Sequence, residues 1–172
     1  MEIKNCPVCN NSNFSNHIES KDFSVSKESF IIVSCDECDF HFTNPRPSNE
    51  NLGKYYISDH YISHNNTSRT FFEKVYQLVR KFATNRKFNL ISSFFSSGRI
   101  LDVGCGTGDF LNKCKSKNWE TKGIEPSKIA RDQAINNYNL DVEESTDLSQ
   151  LEGQFDIITM WHVLEHVPNL NE

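Results

Sequence analysis

The chain has 172 residues, of which 37% are hydrophobic and 24% are charged. That length suits one ordinary domain, or a small module joined to part of a larger one, and it excludes a peptide hormone or a collagen-like rod. The hydrophobic share is well above that of disordered chains. The longest purely apolar run, residues 30–33, is far shorter than the roughly 20 residues that cross a bilayer, and the sequence opens without an apolar signal region. We expect a soluble, cytoplasmic protein with no membrane partner.

The net charge of −5 is unevenly distributed along the chain. Residues 1–50 carry a net charge of −4, residues 51–97 carry +5, and residues 98–172 carry −6. Proteins that bind nucleic acid by neutralising phosphates present an extended basic face. Here basic character is confined to the centre of the chain, so a nucleic-acid partner is not expected.

Four of the six cysteines form two pairs, Cys6 with Cys9 and Cys35 with Cys38. Two residues between the members of a pair let one tight turn aim both sulfurs at a single tetrahedral ion, and two such turns complete its coordination. The spacing predicts a structural zinc ribbon over residues 1–47, with His17 and His41 outside the ligand set. Two disulfides, or iron in place of zinc, are the alternatives. Because the segment has few large apolar residues, metal binding is expected to drive its folding.

Residues 48–97 form a connector with helical character. It follows Pro45 and Pro47, which mark the end of the ribbon. Apolar residues then recur with a 3.6-residue rhythm from Phe71 to Ile91, which predicts one or two amphipathic helices. The cations of this stretch belong either to a solvated helix face or to a site for a phosphate-bearing substrate such as a nucleotide sugar; they are Arg80, Lys81, Arg86 and Lys87.

Residues 98–172 carry the most informative pattern. A short apolar strand, 100–103, runs into glycines at 104, 106 and 108 and then into a helix-like segment, 109–118. Glycines permit a tight turn and a close approach of backbone to a ligand, and a helix N-terminus offers free N–H groups. The spacing differs from the dinucleotide-binding pattern, whose third glycine comes one place later.

The segments that follow predict a parallel sheet. A second strand, 119–124, ends at Glu125, which lies 23 residues beyond Asp102, a position suited to binding a ribose diol; a solvated loop carboxylate is the alternative. A helix over 127–138 and strands over 140–143 and 155–161 complete the pattern. We therefore expect an α/β fold with a Rossmann-like, doubly wound parallel sheet and a crevice at its carboxyl edge.

Three stretches, LDVGCGTGDF, GIEPS and FDIITMWHVLEHVPN, occur in the order and at the spacing of a known family. On these residues the chain resembles class I S-adenosylmethionine-dependent methyltransferases. The front end, with CPVCN and CDECDFHFTNPRPS, resembles the bacterial subgroup that carries a zinc-binding domain before the catalytic fold. Members of the fold have seven strands and this sequence supplies the first four. Because the motifs are intact, we expect a fragment of a longer protein, with a natural remnant as the alternative; either would have an open and partly apolar sheet edge.

The resemblance also implies how S-adenosylmethionine is held. Asp102 would receive the methionine ammonium, directly or through water, and Glu125 the ribose hydroxyls. Thr146 and Asp147 would lie at the adenine edge. The implied cofactor contacts are Asp102, Gly104, Cys105, Gly106, Thr107, Gly108, Glu125, Pro126, Thr146, Asp147, Met160, Trp161 and His162.

The implied catalytic group is His162, Glu165 and His166. An imidazole is a suitable acceptor for the proton of a hydroxyl or a carbon acid. In ubiquinone-type O-methyltransferases the corresponding segment helps to hold a divalent metal, but His162 stands where those enzymes carry an acid. The alternative is that Glu165 and His166 cap and orient the loop.

The expected function is methyl transfer from S-adenosylmethionine to the oxygen or carbon of a small molecule, such as a sugar or another biosynthetic intermediate, by a protein with a structural zinc ion. Two alternatives stay open: an RNA methyltransferase that grips its substrate through the ribbon, and a non-catalytic module that binds the cofactor or a protein. The negative charge of residues 1–50 weighs against RNA.

Overall fold

The computed structural model describes residues 1–23, 25–48, 51, 53–55, 71–144, 151, 153–167 and 170. The chain divides into two compact units. The first comprises Met1–Thr67 with Val167–Glu172, and the second comprises Ser68–His166. The division of the sequence into 1–47, 48–97 and 98–172 stays a prediction. Among the described helices, none is both long and apolar enough to cross a membrane.

The first unit contains a three-stranded antiparallel sheet in the order β1-β2-β3. Its strands are β1 (Phe14–Lys21), β2 (Ser29–Cys35) and β3 (His41–Thr43), followed by a short 3₁₀ helix at Gly53–Tyr55. Strand β2 ends at Cys35, and β3 begins three residues after Cys38. The sequence did not predict β1, because all of its residues after Phe14 are exposed and no apolar alternation marks it.

Among the described residues of the first unit, few side chains are buried. Val33 is buried with Cys6 and Cys35. The ring of Phe14 meets Phe42 edge to face with centroids 5.1 Å apart. A core this small gives little apolar burial to oppose the chain entropy lost on folding.

The second unit begins with one continuous helix, α1 (Phe71–Ser92), where the sequence allowed one or two. An alternation of strands and helices follows, as expected. The elements are β4 (Arg99–Val103), α2 (Asp109–Lys115), β5 (Glu120–Ile124), α3 (Lys128–Tyr138), β6 (Asp141–Glu143), β7 (Ile157–Thr159) and a 3₁₀ helix at Leu164–His166.

The four strands of this unit are parallel and lie in the order β6-β5-β4-β7. From β4 the chain moves to one side through β5 and β6 and then crosses to the other side for β7. Such a reversal leaves a crevice beside the carboxyl ends of the two strands that flank it, here β4 and β7. The predicted fold class is confirmed, and its crevice lies where the glycine loop begins.

Apolar side chains are buried on both faces of this sheet. Ile100 points into one cluster, together with Leu111 and Cys114 of α2 and Ile91 of α1. The next residue, Leu101, points into a second cluster on the opposite face. Alternation along β4 thus fills both faces, as expected for a central parallel strand.

Strand β7 lies at the edge of the described sheet. A groove of about 480 Å³ runs beside it. Its lining includes Leu90, Phe94 and Ile158, all three at least half-exposed. The described part of the chain therefore has the apolar edge that the sequence predicted.

Candidate functional site

The glycine loop joins β4 to α2. Gly104, Gly106 and Gly108 all have positive φ, at 70°, 57° and 82°, a conformation that strains other residues. A Cβ on Gly104 would clash with Val163, and one on Gly108 would lie 2.5 Å from Leu140 Cδ1. At Gly106 a Cβ would meet nothing within 4 Å, so the loop faces open space there. The outer two glycines serve packing, and the middle one leaves room for a ligand.

Glu125 follows β5 and is only 5% exposed. Its carboxylate accepts the N–H of Gly106 at 2.8 Å through one oxygen and the N–H of Ser127 at 2.9 Å through the other. Arg131 steadies the same corner, because it donates to the carbonyl of Glu125 at 2.6 Å and to that of Pro126 at 3.1 Å. A carboxylate offers about four acceptor positions, so about two are left for a ligand. Glu125 is therefore a buried, oriented acceptor and not the solvated carboxylate of the alternative interpretation.

Asp102 lies on β4 and is 3% exposed. The hydroxyl of Thr159 on β7 donates to it at 2.6 Å. Burial raises the pKa of Asp102 to about 6; the Thr159 hydrogen bond and the charge of Lys87 lower it, and Glu125 raises it further. A cationic ligand at this place would favour the ionised carboxylate. Thr159 was not predicted, although a threonine among the apolar residues of a strand is a usable signal.

Lys87 interacts electrostatically with this carboxylate and packs over the ring of Trp161. The Lys87 ammonium is 4.8 Å from the centroid of the Trp161 ring, which also meets Phe110 edge to face at 5.8 Å. Burial lowers the pKa of Lys87, and the negative charge of Asp102 acts against that shift. The indole Nε1 of Trp161 is buried without a hydrogen-bond partner among the described residues. Of the four helix cations left open by the sequence, Lys87 therefore lies in the site, whereas Lys81 and Arg86 are exposed.

The segment after β7 carries the predicted catalytic residues. Met160 packs against the apolar cluster that contains Leu101. His162 has a φ of 59°, and its Nδ1 lies 3.6 Å from Glu165 Oε1. The side chains of His162, Glu165 and His166 are exposed. The structure brings His162 and Glu165 together on an accessible surface, where a substrate could reach them.

The remaining predicted contacts differ in their surroundings. Burial raises the pKa of the Cys105 thiol to about 12, with Asp102 and Glu125 adding to the shift, so the thiol is neutral. Thr107 donates its hydroxyl to Asp109 at 2.8 Å. Thr146 and Asp147 lie outside the described residues.

In the first unit the four cysteines converge. Their sulfur atoms all lie within 4.8 Å of one another, with Cys6 and Cys38 at 3.6 Å and Cys9 and Cys35 at 3.5 Å. Zn–S bonds of about 2.3 Å in a tetrahedron place sulfurs roughly 3.8 Å apart, so the group fits zinc. All four are free thiols in this structure. The rings of His17 and His41 lie 4.3 Å apart and are not part of the group.

The cysteine thiols of this group differ in pKa because their surroundings differ. Burial raises the pKa of Cys6, but hydrogen bonds from the N–H groups of Cys9 and Val8 and from neighbouring thiols lower it to a net value of about 7. At Cys38 a hydrogen bond from the N–H of Phe40 lowers the pKa, whereas burial and the three other cysteines raise it to about 12. Four crowded thiols cannot all ionise at neutral pH without a cation among them.

Comparisons with known proteins agree with this geometry. The sequence profile of a family described as a methyltransferase domain matches residues 62–172, more than half of the chain. The ubiquinone biosynthesis O-methyltransferase of Erwinia tasmaniensis is 35% identical over 81 residues, which cover 41% of this chain and 32% of that protein. The mitochondrial protein of the same name from Schizosaccharomyces pombe is 32% identical over 82 residues, which cover 42% and 30%. The chain thus spans about a third of the length of these relatives.

A solved structure shows the same fold. The magnesium protoporphyrin IX methyltransferase of Synechocystis PCC 6803 with bound SAM superposes with a TM-score of 0.54 at 18% identity, covering 73% of this chain and 67% of that chain. The chain belongs to the methyltransferase-domain family, and the resemblance to class I S-adenosylmethionine-dependent methyltransferases is confirmed.

Proposed function

We propose that this member of the methyltransferase-domain family binds S-adenosylmethionine at the carboxyl edge of its parallel sheet and methylates a small molecule. The observation that carries the proposal is the juxtaposition of two buried carboxylates with an open glycine loop. Asp102 lies on β4, Glu125 directly follows the adjacent strand β5, and the N–H of Gly106 donates to the Glu125 carboxylate at 2.8 Å. An amino acid ammonium and a ribose diol are the donors that such carboxylates accept.

Each side chain in this arrangement has a separate task. Glu125, fixed by Gly106 and Ser127, offers its remaining acceptor positions to the ribose hydroxyls. Asp102, fixed by Thr159, accepts the ammonium, and that ion pair keeps the carboxylate charged in its buried position. The bound cofactor supplies a methyl group activated by a sulfonium. The protein's main contribution is then to align the acceptor with that methyl group and to exclude water.

We propose further that His162 removes the acceptor's proton and that Glu165 orients its imidazole. The contact of 3.6 Å between Nδ1 and Oε1 supports this pairing, and the exposure of both side chains leaves them open to a substrate. A hydroxyl is the acceptor that needs such a base. The O-methyltransferase names of the curated relatives support the same choice, and a biosynthetic intermediate with a free hydroxyl is the substrate class we propose.

We propose a structural zinc ion in the first unit, held by Cys6, Cys9, Cys35 and Cys38. The convergence of the four sulfurs supports this assignment. With four protein ligands the ion would have no open position, so its role would be in folding and not in catalysis.

Calorimetric titration with S-adenosylhomocysteine tests the cofactor site. The zinc-loaded chain should bind one equivalent, and Glu125→Gln should weaken binding at least tenfold, because a neutral amide offers the diol fewer and weaker acceptor positions. Glu120→Gln, at the start of β5, is the matched control, since its side chain is largely exposed, and it should leave the affinity unchanged. A folded chain that binds no S-adenosylhomocysteine, or a Glu125→Gln variant with wild-type affinity, would contradict the proposal.

A further inference from the structure

We infer that α1 sets the conformation of the glycine loop through Arg80, which makes Arg80 a positioning residue for cofactor binding. The inference rests on the proposed function. It concerns a side chain that touches the loop from outside and does not itself need to contact the cofactor.

Arg80 contacts two side chains of the glycine-loop region. Its Nη2 donates to the Thr107 hydroxyl at 2.6 Å and also to the Asp109 carboxylate. The side chains of Arg80 and Asp109 are 22% and 27% exposed, so the pair is shielded from solvent to a degree that surface ion pairs are not. Thr107 and Asp109 flank Gly108, and one guanidinium therefore holds both sides of the last glycine in the loop.

Asp109 links the loop to a third element. Its second carboxylate oxygen accepts the hydroxyl of Tyr138, the last residue of α3, at 2.9 Å. The oxygen facing Arg80 also accepts the Thr107 hydroxyl at 2.8 Å. Thr107 thus accepts from Arg80 and donates to Asp109, which closes a ring of hydrogen bonds. Asp109 is the first residue of α2, so the partial positive charge of the helix N-terminus also stabilises its ionised carboxylate.

The packing of α1 explains why Arg80 reaches this place. Ile91 lies in the apolar cluster on the sheet, and Phe88 packs against it. Arg80 lies 8 positions before Phe88 and 11 positions before Ile91, which is about two and three helical turns. All three side chains therefore lie on one face of the helix. The cation that the sequence could assign only to a solvated face or a phosphate site is instead directed at the loop.

A loop with three positive-φ glycines needs such an anchor. Glycine loses more backbone entropy on ordering than any other residue, and a ligand that must order its own site binds more weakly. The β5 side already holds the loop, because Gly104 and Cys105 donate to the carbonyl of Ile124 and Gly106 donates to Glu125. Arg80 supplies the anchor on the opposite side, so that the loop is ordered before the cofactor arrives.

Two measurements on Arg80→Ala test this inference. In the absence of ligand, amide hydrogen exchange should rise at residues 104–110 and stay unchanged in β5 and α3. The dissociation constant for S-adenosylhomocysteine should rise about tenfold. Arg86→Ala removes the same charge from an exposed position on the same helix and should change neither quantity. Arg80→Lys keeps the charge but lacks the guanidinium geometry and should rescue only part of the affinity.

The outcomes separate this inference from the function on which it rests. Faster exchange spread over the whole sheet would make Arg80 a structural residue and would overturn the inference, as would unchanged exchange at residues 104–110. Unchanged affinity in the presence of a loosened loop would overturn it as well. If the wild-type chain binds no S-adenosylhomocysteine, the proposed function fails, and the positioning role for cofactor fails with it even where Arg80 still orders the loop.

Discussion

The two compact units of this chain are stabilised in different ways. In the second unit both faces of the sheet are covered by apolar side chains, among them Ile100 on one face and Leu101 on the other. In the first unit Val33, Cys6 and Cys35 are buried, and most of β1 is exposed. A sheet that buries little apolar surface needs another source of stability, and the four convergent sulfurs offer one. The comparison shows that a strand pattern alone does not indicate what stabilises a sheet.

Metal removal should give the largest effect and should divide the two units. Structural zinc sites contribute about 10–16 kcal/mol of binding free energy, so chelation should abolish protection of β1–β3 against hydrogen exchange and leave β4–β7 protected. Cys35→Ser should do the same, because it removes a buried thiol from the proposed metal site. His41→Ala is the control and should retain one zinc per chain, since His41 lies outside the sulfur group. A first unit that stays protected after its metal content falls to zero would show that a metal ion does not stabilise its sheet.

Buried Asp102 makes the stability of the second unit depend on pH. Asp102 is buried, and its pKa is raised from 3.8 to about 6, with burial as the main cause. The folded state therefore holds this proton more tightly than the unfolded chain does. Its contribution to stability is greatest below the unfolded pKa and is lost as the pH rises from about 4 through 6. Two pKa units correspond to about 3 kcal/mol.

Asp102→Asn should remove this pH dependence. The difference in unfolding free energy between the variant and the wild type should grow in favour of the variant between pH 4 and pH 7, by at most about 3 kcal/mol, when measured by urea denaturation without ligand. The same variant should lose affinity for S-adenosylhomocysteine, because its amide cannot pair with the ammonium. Asp132→Asn, at a half-exposed carboxylate, is the control and should not reproduce the pH dependence. A difference that stays constant from pH 4 to pH 7 would contradict the assignment.

Patterns within short stretches of the sequence predicted those parts of the candidate site whose residues lie close together along the chain. Glycine spacing and strand length located the loop, and the distance from Asp102 located Glu125. Thr159 and Arg80 were not assigned to the site, because their partners Asp102 and Asp109 lie 57 and 29 positions away in sequence. Contacts between residues so far apart in sequence depend on the order of the strands and on which face of α1 packs against the sheet. The periodicity of a single segment carries no information on either.

The smallest expected effect concerns strain at His162. Its φ of 59° is unfavourable for a side chain with a Cβ, whereas glycine adopts it freely. His162→Gly should therefore stabilise the second unit by a few tenths to about 1 kcal/mol, since relief of strain outweighs the greater chain entropy of the unfolded variant. His166→Gly is the matched control: His166 lies in the 3₁₀ helix and is not among the described residues with positive φ, so this change should destabilise.

Activity gives the second measurement on His162→Gly. If the imidazole acts as the base, the more stable variant should lose methyl transfer to a hydroxyl acceptor while it keeps its affinity for S-adenosylhomocysteine, because Asp102 and Glu125 are untouched. Strained residues persist where the surrounding structure requires them, and such positions cluster at functional sites. A variant that is less stable than the wild type would show that the backbone at residue 162 is relaxed, and the strain would then no longer support placing His162 in the catalytic group.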